Sequence, residues 1–591
     1  MILVAIVTYN GLKWIDSLLQ PFLYDRDQLE IAVVDNASTD GTPDEIEKRY
    51  PFVRVLRRPS NLGFGAANNL LMEEVQAKEC YEGIFLLNQD ASISAETIRA
   101  LADYSQQHPE IGILSPLHLS SNGAVEQGFA HYLPEPPYHG FTELSFINAA
   151  LWYLPRQTLL KVGLFSPLFH HYGEDLDYAH RVRFAGLKIG FLPHLTGQHF
   201  RPSTAISDEK TLRLKQAYHL AEAINPLLSP LLQFYRGHLA PFGEALLSGG
   251  NRRRSLLKMA RNLWQMRPMM KLWRQRPPLD LEGLQRALNR KELAPLLLFV
   301  YNRPRHTERI LQNLLQQPEI THTPIYIWSD GAKGADDQQA VEEVRALCRQ
   351  IPKAQLHCQP TNKGLAHNIV EGVTNLLQMH DRVIVLEDDL ILSPYFLRWM
   401  NDALTLYAKE KRIAHLHTGT FYTSPKLRNN HPLYFAGSWG WATWQDRWQE
   451  LWEADGKQLL QQLEQDPKLY QRFRYGGFMD FPKMLRRQIT GENNSWAVRW
   501  HASLLLHQKL SINSNPPLVT NDGFDGSGTH SGGGGRYHTA VAPYPLYADP
   551  IAPTSEDPEA YHILRRYYAR TNNKVMKGWY KLKELWQRYF G

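Results

Sequence analysis

Cysteine is scarce in this sequence. Its 591 residues hold three, Cys80, Cys348 and Cys358, an odd number in no metal-ligand spacing, which argues against a disulfide framework or a zinc site and suits a reducing compartment. Long apolar runs are missing too: nothing reaches the roughly 18 residues a spanning helix needs, so no membrane crossing is expected. The first residues, MILVAIVTYNG, have no basic leader and only a short apolar stretch, which argues against a signal peptide. The expectation is a cytoplasmic protein, either free or at the inner face of the plasma membrane. Charge of one sign is locally absent: no acidic residue lies between Ala245 and Leu279, although the net charge of the whole chain is only +6. No nucleic-acid partner is expected.

With 43% hydrophobic and 21% charged residues the composition is that of a globular protein, and the length implies two to four domains. The chain repeats itself. VAIVTYNGLKWIDSLL is answered by LLLFVYNRPRHTERIL, so that Tyr9-Asn10 pairs with Tyr301-Asn302. IAVVDNASTDGT, ending a strand at Asp35, is answered by IYIWSDGAKGADD at Asp330, and RRPSNLGFGAANNLL by CQPTNKGLAHNIV. YEGIFLLNQDASIS is answered by DRVIVLEDDLILS, which sets Asp389 on Asp90 at an offset of 299. Each copy alternates strand and helix with polar residues at the strand ends, the pattern of a parallel sheet covered by helices on both faces. The predicted organisation is a first α/β domain over 1–203, basic joining helices over 204–290, a second α/β domain over 291–545 and a basic aromatic tail over 546–591.

The carboxylates carry the chemistry. Glu387, Asp388 and Asp389 end an apolar strand, and three adjacent acids are costly there unless a cation joins them. Asp90 ends GIFLLNQD in the same way. A carboxylate at such a place suits Mg²⁺ or Mn²⁺ shared with substrate phosphate, which neutralises a diphosphate leaving group. Asp35 and Asp330 could accept hydrogen bonds from a base or ribose, or simply cap the next helix. Glu174, Asp175 and Asp177 open an amphipathic helix. Acids there are ordinary complements of the helix dipole, but one facing a cleft would serve as a general base. His199 reads either as a further metal ligand or as a loop residue. The Trp-rich segments 437–452 and 492–506 line a core or stack on flat groups such as sugar faces. In the glycine-rich stretch 521–538, His530 is a possible ligand.

These motifs carry a resemblance. VTYNG, VVDNASTDGT, NLGFGAANN, LLNQD and YGEDLDYAHRVRFAGLKIGFLP resemble family 2 glycosyltransferases, especially rhamnosyltransferase-like members of the GT-A fold. That implies metal at Asp90 and His199, a catalytic base within Glu174-Asp175, and nucleotide-sugar contacts at Tyr9, Asn10, Asp35, Asn61 and Gly63. Asn88 stands where many relatives carry the first acid of an Asp-x-Asp motif. The second half is similar to bacterial sugar transferases related to N-acetylglucosaminyltransferase I, also GT-A, through FVYNRPRHTERIL, SDGAKG, NKGLAHNI, VIVLEDDLILSPYFL, SWGWATW, SWAVRWHAS and GFDGSGTH. It implies metal at Asp389 and nucleotide-sugar contacts at Tyr301, Asn302, Arg303, Asp330, Lys363, His367, Glu387 and Asp388. Asn494 stands where such relatives carry an Asp; if that Asp is the base, this half is impaired or uses a neighbour such as Glu492.

The expectation is thus two GT-A domains joined by a helical linker. They would use Mn²⁺ or Mg²⁺ to move sugars, with inversion, from nucleotide-sugar donors to a growing glycan or lipid-linked acceptor in bacterial surface polysaccharide synthesis. The alternative keeps only the first domain catalytic and makes the second a nucleotide-sugar or glycan-binding scaffold. Nucleotidyltransferases are disfavoured because no glycine-rich, arginine-containing loop follows the first strands, and processive synthases because no Gln-x-x-Arg-Trp motif is present. The basic aromatic segments 251–276 and 574–590 are either solvated helices or docking elements for an anionic membrane surface.

Overall fold

The computed structural model describes residues 1–200, 207–453, 455–523, 539–550 and 553–572. It divides into two compact units, Met1–Leu288 and Asn289–Gly591. His530 and the tail segment 574–590 lie outside the described residues.

The first unit is built on β1 (Ile2–Thr8), β2 (Leu29–Asp35), β3 (Arg54–Arg57), β4 (Gly83–Asn88), β5 (Ala91–Ser92), β6 (Ile111–Leu119), β7 (Thr142–Glu143), β8 (Leu151–Pro155) and β9 (Lys188–His199). They form one sheet in the order β3-β2-β1-β4-β8-β6-β9-β5, with β7 on β9. β1 to β4 run parallel, whereas β8 enters antiparallel beside β4. The central strands are continuous apolar runs because both sheet faces are covered. One face packs against α1 (Phe64–Ala77) and α2 (Glu174–Phe184), and the other holds Ile6, Leu18, Phe22, Ile46 and Phe85. The parallel strands end together at Thr8, Asp35 and Asn88, the edge where open α/β sheets bind ligands.

The basic helices expected to join two domains pack on this unit instead. They include α3 (Asp208–Ile224), α4 (Gly250–Gln265) and α5 (Arg267–Arg274). A Cβ on Gly173, just before α2, would sit 2.9 Å from that of Ala217 on α3. Trp273 of α5 is buried beneath Arg181, with 5.5 Å between guanidinium and ring centre. The apolar residues that alternate with the basic ones, Leu256, Met259, Leu263 and Met270, are buried, which is why this stretch folds back rather than spanning open solvent.

The second unit comprises β10 (Leu296–Val300), β11 (Ile325–Ser329), β12 (Gln355–Cys358), β13 (Arg382–Glu387), β14 (Leu390–Leu392), β15 (Ile413–His417), β16 (Asn430–Leu433), β17 (Trp441–Trp444), β18 (Leu510–Ser514) and β19 (Val519–Asn521). Its main sheet runs β12-β11-β10-β13-β17-β15-β18-β16. From β12 to β18 this order repeats that of the first unit from β3 to β9, while β14 and β19 form a separate two-stranded sheet. β13 is β4 displaced by 299 residues at both ends (382 − 83 and 387 − 88). The repeat extends past the strands: Ala91 pairs with His199 as Leu390 pairs with Asn521. Both units are therefore α/β with Rossmann-like sheets. Among the helices of the second unit are α6 (Leu365–Met379), α7 (Trp496–Leu506) and α8 (Pro558–Thr571). Most of its tryptophans settle as core: Trp441, Trp448, Trp496 and Trp500 form one buried cluster with Leu297, Val373 and Val385. Among the described residues no helix is long and apolar enough to cross a membrane.

Candidate functional site

In the first unit three loops meet beyond the strand ends. The Tyr9 amide donates to Gln89 Oε1 at 2.9 Å, the Asn10 amide to Ser38 Oγ at 2.9 Å, and the Thr39 amide to Asn10 Oδ1 at 2.9 Å. Asp35 is buried, and its carboxylate accepts from the Thr8 hydroxyl at 3.0 Å and the Ser38 amide at 3.0 Å. Its acceptors thus hold the turn after β2, and Tyr9 remains exposed. Asn61 Oδ1 takes the Gly63 amide at 2.8 Å. Gly63 has φ +80° and presses so closely on the loop before α2 that an added Cβ would lie 1.9 Å from the His170 carbonyl oxygen. Only glycine fits both demands.

That contact sets the start of α2. Glu174 is buried against Gly65, and its Oε2 has no hydrogen-bond partner. Burial, with Asp175 adding repulsion, pushes its carboxyl up to about 8. Asp175, half-buried, accepts the Leu176 amide at 2.9 Å. Asp177 is structural: fully buried, it takes Arg181 Nε at 2.9 Å, while the same guanidinium donates to the Val162 and Leu164 carbonyls. The resemblance placed the base within Glu174-Asp175 without choosing between them. The fold separates a neutral carboxyl, a solvent-reaching carboxylate and a buried ion pair.

Asp90 follows β4 and is held by its carbonyl, which accepts the Phe200 amide at 2.8 Å. His199 Nε2 lies 3.5 Å from Asp90 Oδ1; the imidazole is buried and its Nδ1 has no partner. Carboxylate oxygen and imidazole nitrogen side by side, with Asp90 reaching solvent, fit a divalent cation of the Mn²⁺ or Mg²⁺ kind. Two further residues had no signal in the sequence. Buried His118 and Glu126 approach His199 so that ligand-type atoms of the three lie within 4.8 Å of one another. Glu126 spends both oxygens on the Gly128 and Phe129 amides, and His118 Nε2 meets Ser115 Oγ at 2.9 Å; the His118 ring stands edge-on to that of His199, 6.3 Å between ring centres.

The second unit opens a cleft of about 420 Å³ lined by Tyr301, Arg303, Asp330, Glu387, Asp388, Asp389 and Asn494. Tyr301 hydrogen-bonds Asp337 through its hydroxyl. Asp330 accepts from the Gly331, Lys363 and Gly364 amides and from Asn362 Nδ2, all within 3.0 Å, and so folds the 361–364 loop. Lys363 Nζ lies 3.3 Å and His367 Nε2 3.6 Å from Glu371. Asn302 sits between Tyr301 and Arg303 and is half-buried. Burial first, then Asp389, raises Asp388 to about 7 and Glu387 well above the usual range.

Metal fits less well here. Asp389 Oδ2 faces Arg303 Nη1 at 3.3 Å, and Oδ1 accepts Asn521 Nδ2 at 3.0 Å. Asn521 occupies the pairing position of His199, and Arg303 stands where the first copy has Gly11. Glu492 does not reach the cleft: it is exposed, bound to Arg487 Nε at 3.1 Å and to the Thr490 hydroxyl at 3.0 Å. As a stand-in base it is therefore corrected. The side chain at the cleft wall is the amide Asn494.

Residues 3–145 match the family model for glycosyl transferase family 2. The first unit thus carries a family 2 glycosyltransferase domain over these residues. Relatives of this glycosyltransferase include N-acetylglucosaminyl-diphospho-decaprenol L-rhamnosyltransferase from two strains of Mycobacterium tuberculosis, each 26% identical over 231 residues, covering 34% of this chain and 75% of the relative. Among solved structures, S. aureus TarS 1–349 in complex with UDP-GlcNAc has 18% identity and a TM-score of 0.34, covering 49% of this chain and 91% of that one. The mannosyltransferase PcManGT from Pyrobaculum calidifontis in complex with GDP-Man and Mn²⁺ has 18% identity and a TM-score of 0.30, covering 48% and 84%.

Proposed function

We propose that the glycosyltransferase domain transfers a hexose or deoxyhexose from a nucleotide-sugar donor to the hydroxyl of a glycan or lipid-linked acceptor, with inversion, in surface polysaccharide assembly. The observation that carries this reading is the Asp90–His199 pair at the end of β4. Mn²⁺ or Mg²⁺ bound there would neutralise the departing diphosphate. Asp175 takes the proton of the acceptor hydroxyl, because it reaches solvent and its neighbour Glu174 is held neutral. Glu174 instead keeps the base from sharing its position with a second negative charge. Gly63 brings the donor-side loop against the loop that leads into Asp175. The test is release of nucleotide diphosphate from a panel of nucleotide sugars with divalent metal and with EDTA. Equal rates in both would overturn the metal part, and no turnover with any donor would overturn the donor class.

For the second unit, Asn494 at the cleft wall and the engaged Asp389 favour nucleotide-sugar or glycan binding without turnover over a second active transferase. An anionic membrane surface is the proposed meeting place with a lipid-linked acceptor. Supporting it, Leu231, Leu232, Tyr235, Leu246, Leu247 and Trp264 are exposed along the same helical stretch as exposed Arg252, Arg253 and Arg254. Apolar side chains flanked by arginines match the two layers of such an interface.

A further inference from the structure

A second cavity, of about 220 Å³, adjoins the carboxylate cleft of the second unit. Ser438, Trp439, Met484, Ser495 and Ala497 line both. The two are continuous along α7, which begins at the cleft: Ala497 faces the shared wall and His501, one turn on, faces only the inner cavity. The remaining wall is apolar and mainly aromatic: Phe421, Phe435, Phe481 and Tyr568, the last supplied by α8, stand beside Met479 and Val498.

Two imidazoles stand among these rings, and Ser438, Ser495 and Tyr568 bring hydroxyls to the lining. His501 is buried and accepts the Ala436 amide on Nδ1 at 3.3 Å, so Nε2 carries the proton and has no acceptor. His417 points Nδ1 at Asn513 Oδ1, 2.9 Å away, and the amide nitrogen of Asn513 is turned to the Ser511 carbonyl at 3.1 Å. His417 Nδ1 is therefore the donor, and its Nε2 is left as an acceptor. Burial holds both rings neutral, His417 at about 4 and His501 at about 3. Among the lining residues there is no Asp, Glu, Lys or Arg.

A buried N–H donor without an acceptor costs on the order of 1–3 kcal/mol unless a ligand meets it. An alkyl chain would leave it unmet, and a carboxylate or phosphate would find no cation. Aromatic walls with an imidazole donor, an imidazole acceptor and hydroxyl-bearing side chains in the lining instead match a pyranose ring, whose C–H faces cover aromatic rings while its hydroxyls take both hydrogen-bond roles. We propose that this cavity is a monosaccharide subsite for a neutral terminal sugar of the glycan acceptor, held beside the nucleotide cleft. It rests on the reading of the second unit as a sugar-binding module, active or not, and nothing in the donor chemistry assigns it.

The test uses the full chain and saturation-transfer NMR with the methyl glycosides of glucose, N-acetylglucosamine, rhamnose and glucuronic acid. Nucleotide diphosphate binding is measured by calorimetry on the same samples. At least one neutral glycoside should bind, with the glucuronide much weaker. His501→Phe, which keeps a ring and removes the donor, should weaken it roughly 3- to 10-fold, and Tyr568→Ala, which opens the wall, at least as much. Nucleotide binding should be unchanged in both, which also shows that they fold. No glycoside binding, equal binding in both variants, or equal binding of the glucuronide would overturn the subsite. Glycoside binding that responds to the variants in a protein that binds no nucleotide in this cleft would support the subsite and overturn the donor reading of this half.

Discussion

Replacing Glu174 by Gln should stabilise the protein, and by an amount that grows with pH. Glu174 is 5% exposed and its carboxyl is held at about 8 against an ordinary 4.5. Below pH 4.5 both folded and unfolded chains carry it protonated, and it contributes nothing to the pH dependence. Between 4.5 and 8 the unfolded chain ionises while the folded one does not, so the folded state binds the extra proton and stability falls as pH rises. Above 8 the full penalty is present. At about 1.4 kcal/mol per tenfold step, the gap corresponds to an upper limit on the order of 5 kcal/mol. A buried glutamine amide recovers only part of that, because it too lacks partners, so a gain of about 1–3 kcal/mol at pH 9 is expected. Urea denaturation of wild type and Glu174→Gln at pH 4.5 and pH 9 reads the difference directly. A variant less stable than wild type by the same margin at both values would show that Glu174 is an ionised, paired group, and the separation of roles between Glu174 and Asp175 would fail with it.

Gly63→Ala should lower stability by about 2–4 kcal/mol, seen as a fall in Tm, because the new Cβ meets the His170 carbonyl in a backbone region closed to alanine. Asn494→Asp, made in an Asp175→Asn background so that the first site is silent, should raise donor hydrolysis by the second unit; robust hydrolysis before the change and none gained after it would show a working base elsewhere in that cleft. Exchanging Arg252, Arg253 and Arg254 for Gln should weaken binding to vesicles containing anionic lipid on the order of 100-fold at low salt, at about 1 kcal/mol each; sedimentation that leaves wild type in the supernatant would point to a soluble acceptor.

The repeat was readable because its spacing survives in the strands themselves. β4 and β13 differ by one offset at both ends, and apolar runs buried on both faces leave little ambiguity about a parallel sheet. What the sequence could not assign were side chains defined by distant partners. Asn521 became the counterpart of His199 only through strand pairing, across a loop that shares no motif with the first copy. His118 sits near the end of β6 and Glu126 in the irregular segment after it, so no shared periodicity pointed to the two together. Glu174, Asp175 and Asp177 look alike in a helix start, and only burial tells them apart. The basic segment 251–276 was read as a joining element because charge dominates its composition, whereas Leu256, Leu263 and Trp273 decide where it packs.

The central claim is that the first unit transfers sugar with Asp175 as base beside a cation site at Asp90 and His199. Its most direct test is steady-state transfer by wild type, Asp175→Asn and Asp90→Ala with the donor found active in the panel, alongside calorimetric donor binding. Asp175→Asn should lose about a thousandfold or more in kcat while binding the donor as wild type does, since its partner is the acceptor hydroxyl. Asp90→Ala should lose activity together with metal-dependent donor affinity. An Asp175→Asn enzyme with near wild-type kcat, or one whose donor affinity falls in step with its rate, would contradict the account.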